Sequence, residues 1–327
     1  METFVAVKYQ KLRDFSEKIN ATFFFIRQNF KSLGKALVFI AGPPALMVSL
    51  VLGNFIGEFL QTMQAGVSGT DASSYFLSVG FWMQILLMLF FGVLAYVFTL
   101  AVIYNYVLLY EERQSNQIEV SLIWDRVRAT FWMYLGTTLF FAMMLMVAYI
   151  FLILPVVLLA AISPILIFFG IMSAIVAIIY LVVAIVPTFI VRAYEKRGIF
   201  SAISRAFFLI KGKWWSTAGL VFVLSMIAGV ISYIFLIPYY IVIFTSALHQ
   251  AQGDTFSGPT ETMLLVTKIF FGIYYLAQIL LSTLTHVGIS FQYFNLVEIK
   301  EARGLMSDIE KFGQSPDNSA NQREEQY

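Results

Sequence analysis

"AAISPIL" (Ala160–Leu166) lies inside an apolar run that extends from Ala129 to Val191 without one Asp, Glu, Lys or Arg. A hydrocarbon core about 30 Å thick is crossed by about 20 apolar helical residues. The run is far too long for one crossing. Pro164 lacks a backbone N–H and follows a small, polar cluster, a place where one helix ends and another starts. We therefore read two helices joined by a tight turn. Four further uncharged runs, Ala36–Gly57, Ala72–Tyr110, Trp214–Gly253 and Ile269–Val297, each hold one crossing. The expected spans are approximately 36–60, 80–109, 131–160, 164–191, 215–246 and 268–297.

Composition agrees with that count. Of the 327 residues, 60% are hydrophobic and 12% charged, against roughly a quarter charged in ordinary soluble domains. So few charges could not cover the surface of a soluble globule. Cysteine is absent, which excludes disulfides, thiolate nucleophiles and cysteine-bound metals. The opening "METFVAVKYQKLRDFSEK" scatters charges and shows no apolar core before a small-residue cleavage site, so no signal peptide is expected.

The cations set the topology. Seven Lys and Arg precede the first span, three lie between spans two and three, six between four and five, and four follow the last. Lys268 alone falls on the other side. By the positive-inside rule both termini are cytoplasmic, and an even number of spans fits that bias.

Three amphipathic phrases recur at the basic side: "EKINATFFFIRQNF", "WDRVRATFWMYLG" and "SAISRAFFLIKGKWW". Ile199, Ile203, Phe207 and Ile210 align with Ile123, Val127, Phe131 and Tyr134, and with Phe15, Ile19, Phe23 and Ile26. Steps of four, four and three put each set on one helix face. Cations fall between them, Lys18 and Arg27 in the first copy, Arg126 and Arg128 in the second, Arg205 and Lys211 in the third. Such helices are expected to lie flat in the cytoplasmic headgroup layer. Spans two, four and six are followed by "EER", "EKR" and "EAR" (Glu111/Arg113, Glu195/Arg197, Glu301/Arg303), and "YIFLILP" at 149–155 echoes "YIFLIP" at 233–238. The expected fold is an all-α polytopic membrane protein: six transmembrane helices as three parallel repeats of an interfacial amphipathic helix plus a two-helix hairpin. The repeats cover about 11–113, 119–197 and 199–303 of a single membrane domain, 1–312, with a closing amphipathic helix at 304–312. The polar tail 313–327 is expected to be disordered. The competing reading is that aromatic and basic residues gather at any membrane interface.

Chemistry is harder to find. The chain has no H-E-x-x-H, G-x-S-x-G, Walker loop or dinucleotide fingerprint, so no catalytic residue, metal ligand or cofactor site is assigned. Gln278, Ser282, His286 and Ser290 recur every four residues along span six. Polar groups at that depth are costly and should face protein or water. They form either a substrate path or proton-handling site, or interhelical hydrogen bonds. "AGPPAL" at 41–46 puts Pro43 and Pro44 inside span one, where the helix should kink or unwind. Arg27, Arg126, Arg128, Arg205, Lys211 and Lys213 are expected to face anionic lipid, at up to about 1 kcal/mol each before screening. Membrane lipids, and membrane proteins as further partners, are therefore favoured over nucleic acid.

"IFSAISRAFFLIKGKWWSTAGLVFVL" (Ile199–Leu224) resembles a phrase in bacterial six-span membrane proteins of the YciC-like kind, and in the membrane domain attached to some glycerophosphoryl diester phosphodiesterases. The likeness rests on the aromatic "AFFL", a basic-glycine step and tryptophans entering a span. It implies this architecture and a bacterial cytoplasmic (inner) membrane location. In those phosphodiesterases the chemistry belongs to a separate soluble barrel, which has no counterpart here, so no catalytic residue carries over. The resemblance thus implies a non-enzymatic supporting role, organising lipid or a complex. The alternative is a transporter or channel for a small or lipidic substrate, which Pro43–Pro44 and the span-six stripe would serve.

Overall fold

The computed structural model describes residues 6–67, 73–251, 261–306 and 309, and every regular element among them is a helix. In chain order these are α1 (Phe15–Ile40), α2 (Gly42–Val67), α3 (Ser73–Phe76), α4 (Val79–Arg113), α5 (Val120–Ile162), α6 (Pro164–Ile185), α7 (Thr188–Glu195), α8 (Ile199–Ile210), α9 (Trp214–Ile234), α10 (Ile237–Ala251) and α11 (Glu261–Glu301). Among the described residues, five stretches are long and apolar enough to cross a membrane: Val79–Arg113, Val120–Leu158, Ile165–Glu195, Trp214–Ile234 and Leu265–Glu301. Phe15–Ile40 with Gly42–Phe59 passes the same test as a pair bent by 55°. The chain is an all-α polytopic membrane protein. The tail 313–327 and most of the expected closing helix lie outside the described residues; 303–306 form one helical turn.

Antiparallel hairpins organise the bundle, α2 against α4, α5 against α6 and α9 against α11. The long seam is between α1–α2 and α11. Gly34 faces Leu280, Gly42 faces Leu276, Ser49 faces Gly272 and Gly53 faces Lys268, so the two run past each other along most of their length. Small residues let helix backbones approach closely where lipid offers no hydrophobic drive to associate. Lys268 lays its stem on Gly53, whose missing side chain makes the room.

Pro43 and Pro44 occupy the first turn of α2, where an absent N–H goes unmissed. The bend falls just before them, at Ala41. The same device divides α6 from α7 at Pro187 and α9 from α10 before Pro238, whereas Pro155 is absorbed within α5.

Two of the three amphipathic stretches depart from expectation. Only the third is a separate helix, α8. The first runs on without a break into α1 and the second into α5, so each is the basic opening of a long helix and not a detached surface segment. Helix continues wherever the i to i−4 ladder is unbroken, and nothing in Phe23–Ile40 or Phe131–Leu154 breaks it. The side turned to the protein also differs. In α5, Ile123, Val127 and Tyr134 are buried as one face. In α1 the buried line is Lys18, Thr22, Phe25 and Asn29, while Phe15 and Phe23 look outward.

Candidate functional site

The charged end of the bundle is cross-tied. After α4, α7 and α11 the backbone passes through Gln114 (φ 48°), Lys196 (φ 53°) and Ala302 (φ 47°), the only non-glycine positive φ angles among the described residues. Each turns the chain sharply, and the N–H groups of Gln114 and Ala302 satisfy the helix-end carbonyls of Tyr110 and Glu298. Glu195–Arg197 and Glu301–Arg303 straddle two of these turns as ion pairs of 2.5 and 2.6 Å. Arg205 of α8 then bridges them, with Nε 3.0 Å from Glu195 and Nη1 on Glu301. Tyr293 donates to Glu195 at 2.8 Å. Arg205 therefore does not face lipid; its side chain is 9% exposed, because two carboxylates draw it inward. The hydrogen bond to Glu301, with that to Glu195, holds its pKa above the ordinary value. At the end of α4, Glu112 pairs instead with Arg126 of α5.

The other expected lipid-facing cations are placed as follows. Arg27, Arg128, Lys211 and Lys213 are exposed, Arg128 pairing with Asp125 on its own helix, and Arg126 is half-buried. Lys18 is buried, and donates to Gln292 at 2.7 Å and Ser216 at 3.1 Å. Exposed aromatics flank these cations: Phe207, Phe208, Trp132 and Trp215, the last 83% exposed.

Sequence reasoning missed the segment ahead of α1. Tyr9 is buried between α4 and α11, stacked 4.9 Å from Phe294 and donating to the Val107 carbonyl at 3.1 Å. Arg13 donates its backbone N–H to Asn295 and lies over the Phe291 ring. The signal was present in "IYNYVLLY" (103–110) and "FQYFN" (291–295), which carry more Tyr, Asn and Gln than a lipid-facing helix end needs.

Two of the cavities among the described residues bear most directly on function. The first, about 810 Å³, lies between α4, α5 and the α7–α8 turn, lined by Glu111, Glu112, Arg126, Arg192, Lys196 and Arg197 among others. The second, about 410 Å³, lies at membrane depth between α2, α4, α9 and α11. Gln278, Ser282 and His286 line it, with Ser225, Thr285 and the small residues Gly92, Ala95 and Gly229. Ser290 lies a turn further on and is buried. Ser282 and Ser290 donate to carbonyls of their own helix, Ile279 at 2.7 Å and His286 at 2.9 Å. Links across helices come instead from His286 Nδ1 to the Tyr104 hydroxyl, 3.2 Å, and from Ser225 to Thr285, 3.2 Å. No group of three or more His, Cys, Asp or Glu able to hold a metal ion occurs among the described residues.

No family model, curated protein or solved structure matches the chain. Its function has to be argued from these two sites and the basic end.

Proposed function

We propose that this chain is a non-enzymatic integral membrane protein of the bacterial cytoplasmic membrane that gathers anionic lipid at its basic, cytoplasmic end in a supporting, lipid- or complex-organising role. One observation carries the reading. Arg27, Lys211 and Lys213 remain exposed beside exposed aromatic rings, and Arg128 is exposed there too while paired with Asp125 on its own helix, although the same end consumes Arg126, Arg197, Arg205 and Arg303 in ion pairs. Cations next to aromatics at a membrane edge attract anionic headgroups and fix depth. The resemblance of Ile199–Leu224 to YciC-like proteins points the same way.

Changing Arg27, Arg128, Lys211 and Lys213 together to Gln tests it. The variant should insert normally yet retain several-fold less phosphatidylglycerol on purification, since each charge contributes up to about 1 kcal/mol. Undiminished anionic lipid in a correctly inserted variant would sink the proposal.

A second reading, transport of a small or lipidic substrate, is favoured by the cavity around His286. A polar-lined space among four spans is where transporters hold substrate. Liposomes carrying the protein should then show flux or lipid flipping that His286→Ala reduces; inertness of the wild type over a broad substrate panel sets this reading aside.

A further inference from the structure

We propose that the cavity between α4, α5 and the α7–α8 turn is a phosphate-binding site, taking the phosphate ester of a lipid headgroup or of a soluble metabolite; it deepens the anionic-lipid reading and rests on it for the membrane setting. Four cations, Arg126, Arg192, Lys196 and Arg197, line the space against two carboxylates, Glu111 and Glu112, so its charge is net positive. The cations are not equally engaged. Arg126 and Arg197 are committed to Glu112 and Glu195. Arg192 and Lys196 have no carboxylate within 4 Å among the described residues, which ion pairing alone does not explain.

Arg192 is held by backbone and hydroxyl oxygens. Its Nη1 donates to the Met133 carbonyl at 3.1 Å and to the Thr137 hydroxyl, and its Nε to the Arg197 carbonyl at 3.4 Å. Those bonds fix the plane of the guanidinium, while Nη2 has no acceptor among the described residues. A guanidinium anchored through Nε and Nη1, with Nη2 left to donate, is pre-organised for an anionic oxygen. Lys196 adds a second charge from the exposed turn. The walls reach from Glu112 down to Asn105 of α4, about 10 Å at 1.5 Å per residue. That depth, and a volume of about 810 Å³, fit a whole headgroup within the usual range of ligand pockets.

The test uses the full chain, purified and stripped of lipid, with two probes. Native mass spectrometry follows retention of added phosphatidylglycerol, and calorimetry follows glycerol 3-phosphate. Saturable lipid with weak glycerol 3-phosphate binding identifies a headgroup site; the reverse identifies a soluble phosphate ester. Whichever probe binds, Arg192→Gln should weaken it about tenfold and Lys196→Asn about threefold. Arg192→Gln also removes bonds to α5, so Lys196→Asn is the safeguard. Its position is exposed, and Asn tolerates the left-handed backbone there. Wild-type affinity in Lys196→Asn and in a folded Arg192→Gln overturns the site, as does failure of both probes to bind the wild type. Lipid lost from the Arg27/Arg128/Lys211/Lys213 variant but unchanged in these two leaves the lipid role standing and removes only this cavity from it.

Discussion

Arg205 shows how one side chain can hold a membrane protein's charged end in register. It serves Glu195 and Glu301 together, from a helix that belongs to neither. Removing one member of a buried ion pair leaves its partners desolvated and uncompensated, at about 3–5 kcal/mol. Glu301 is one-quarter exposed and keeps Arg303, and Glu195 keeps Arg197 and the Tyr293 hydroxyl, so the lower end of that range applies. Arg205→Leu should therefore destabilise the folded protein by about 3 kcal/mol, read as a lowered melting temperature in detergent. Lys211→Gln, six residues on and exposed, is the matched control and should shift stability by under about 0.5 kcal/mol. Equal effects at the two positions would show that Arg205 acts as surface charge alone. Lys18 is the opposite case, a buried cation whose partners are Gln292 and Ser216.

Helix contacts here depend on absent side chains more than on large ones. Gly288 of α11 is the tightest example: a methyl group added to it would stand 2.1 Å from Leu224 of α9. Leu224 is buried and cannot swing into open space. Gly288→Ile should cost about 2–3 kcal/mol by overpacking and separate α9 from α11, seen as lost crosslinking between cysteine pairs placed along that seam. Gly229→Ala, on the same helix pair with nothing within 4 Å of the added carbon, should be tolerated. Contacts of this kind explain where sequence reading stopped. The spans from 79 to 301 were legible because charge-free runs and prolines mark their ends. The span-six stripe was legible because four-residue spacing survives on any helix. The depth of α1 was not: Lys18, Arg27, Asn29 and Lys31 lower its hydropathy, and the groups that satisfy Lys18 lie some two hundred and more residues away. Neither cavity could be read, since each is closed by residues from three or four helices and several of them are glycine or alanine.

Across the whole molecule, α4 settles which groups share an end. Its 35 residues extend about 50 Å, more than a hydrocarbon core, so Leu77 just before it and Gln117 just after it stand on opposite sides of any membrane the bundle crosses. Gln117 adjoins the turn where Asn116 donates to the Gln28 carbonyl, within reach of Arg27 and Lys31. Leu77 is 80% exposed at the other end, where Lys268 is the single Lys or Arg among the described residues. Cations resist translocation, so the Gln117 side should face the cytoplasm. The chain contains no cysteine, and one introduced thiol reports its own position without background. On intact cells an impermeant maleimide should label Leu77→Cys and spare Gln117→Cys, and lysis should equalise the two. Gln117→Cys labelled from outside would place the cations, and with them both the lipid role and the phosphate cavity, on the wrong face of the membrane.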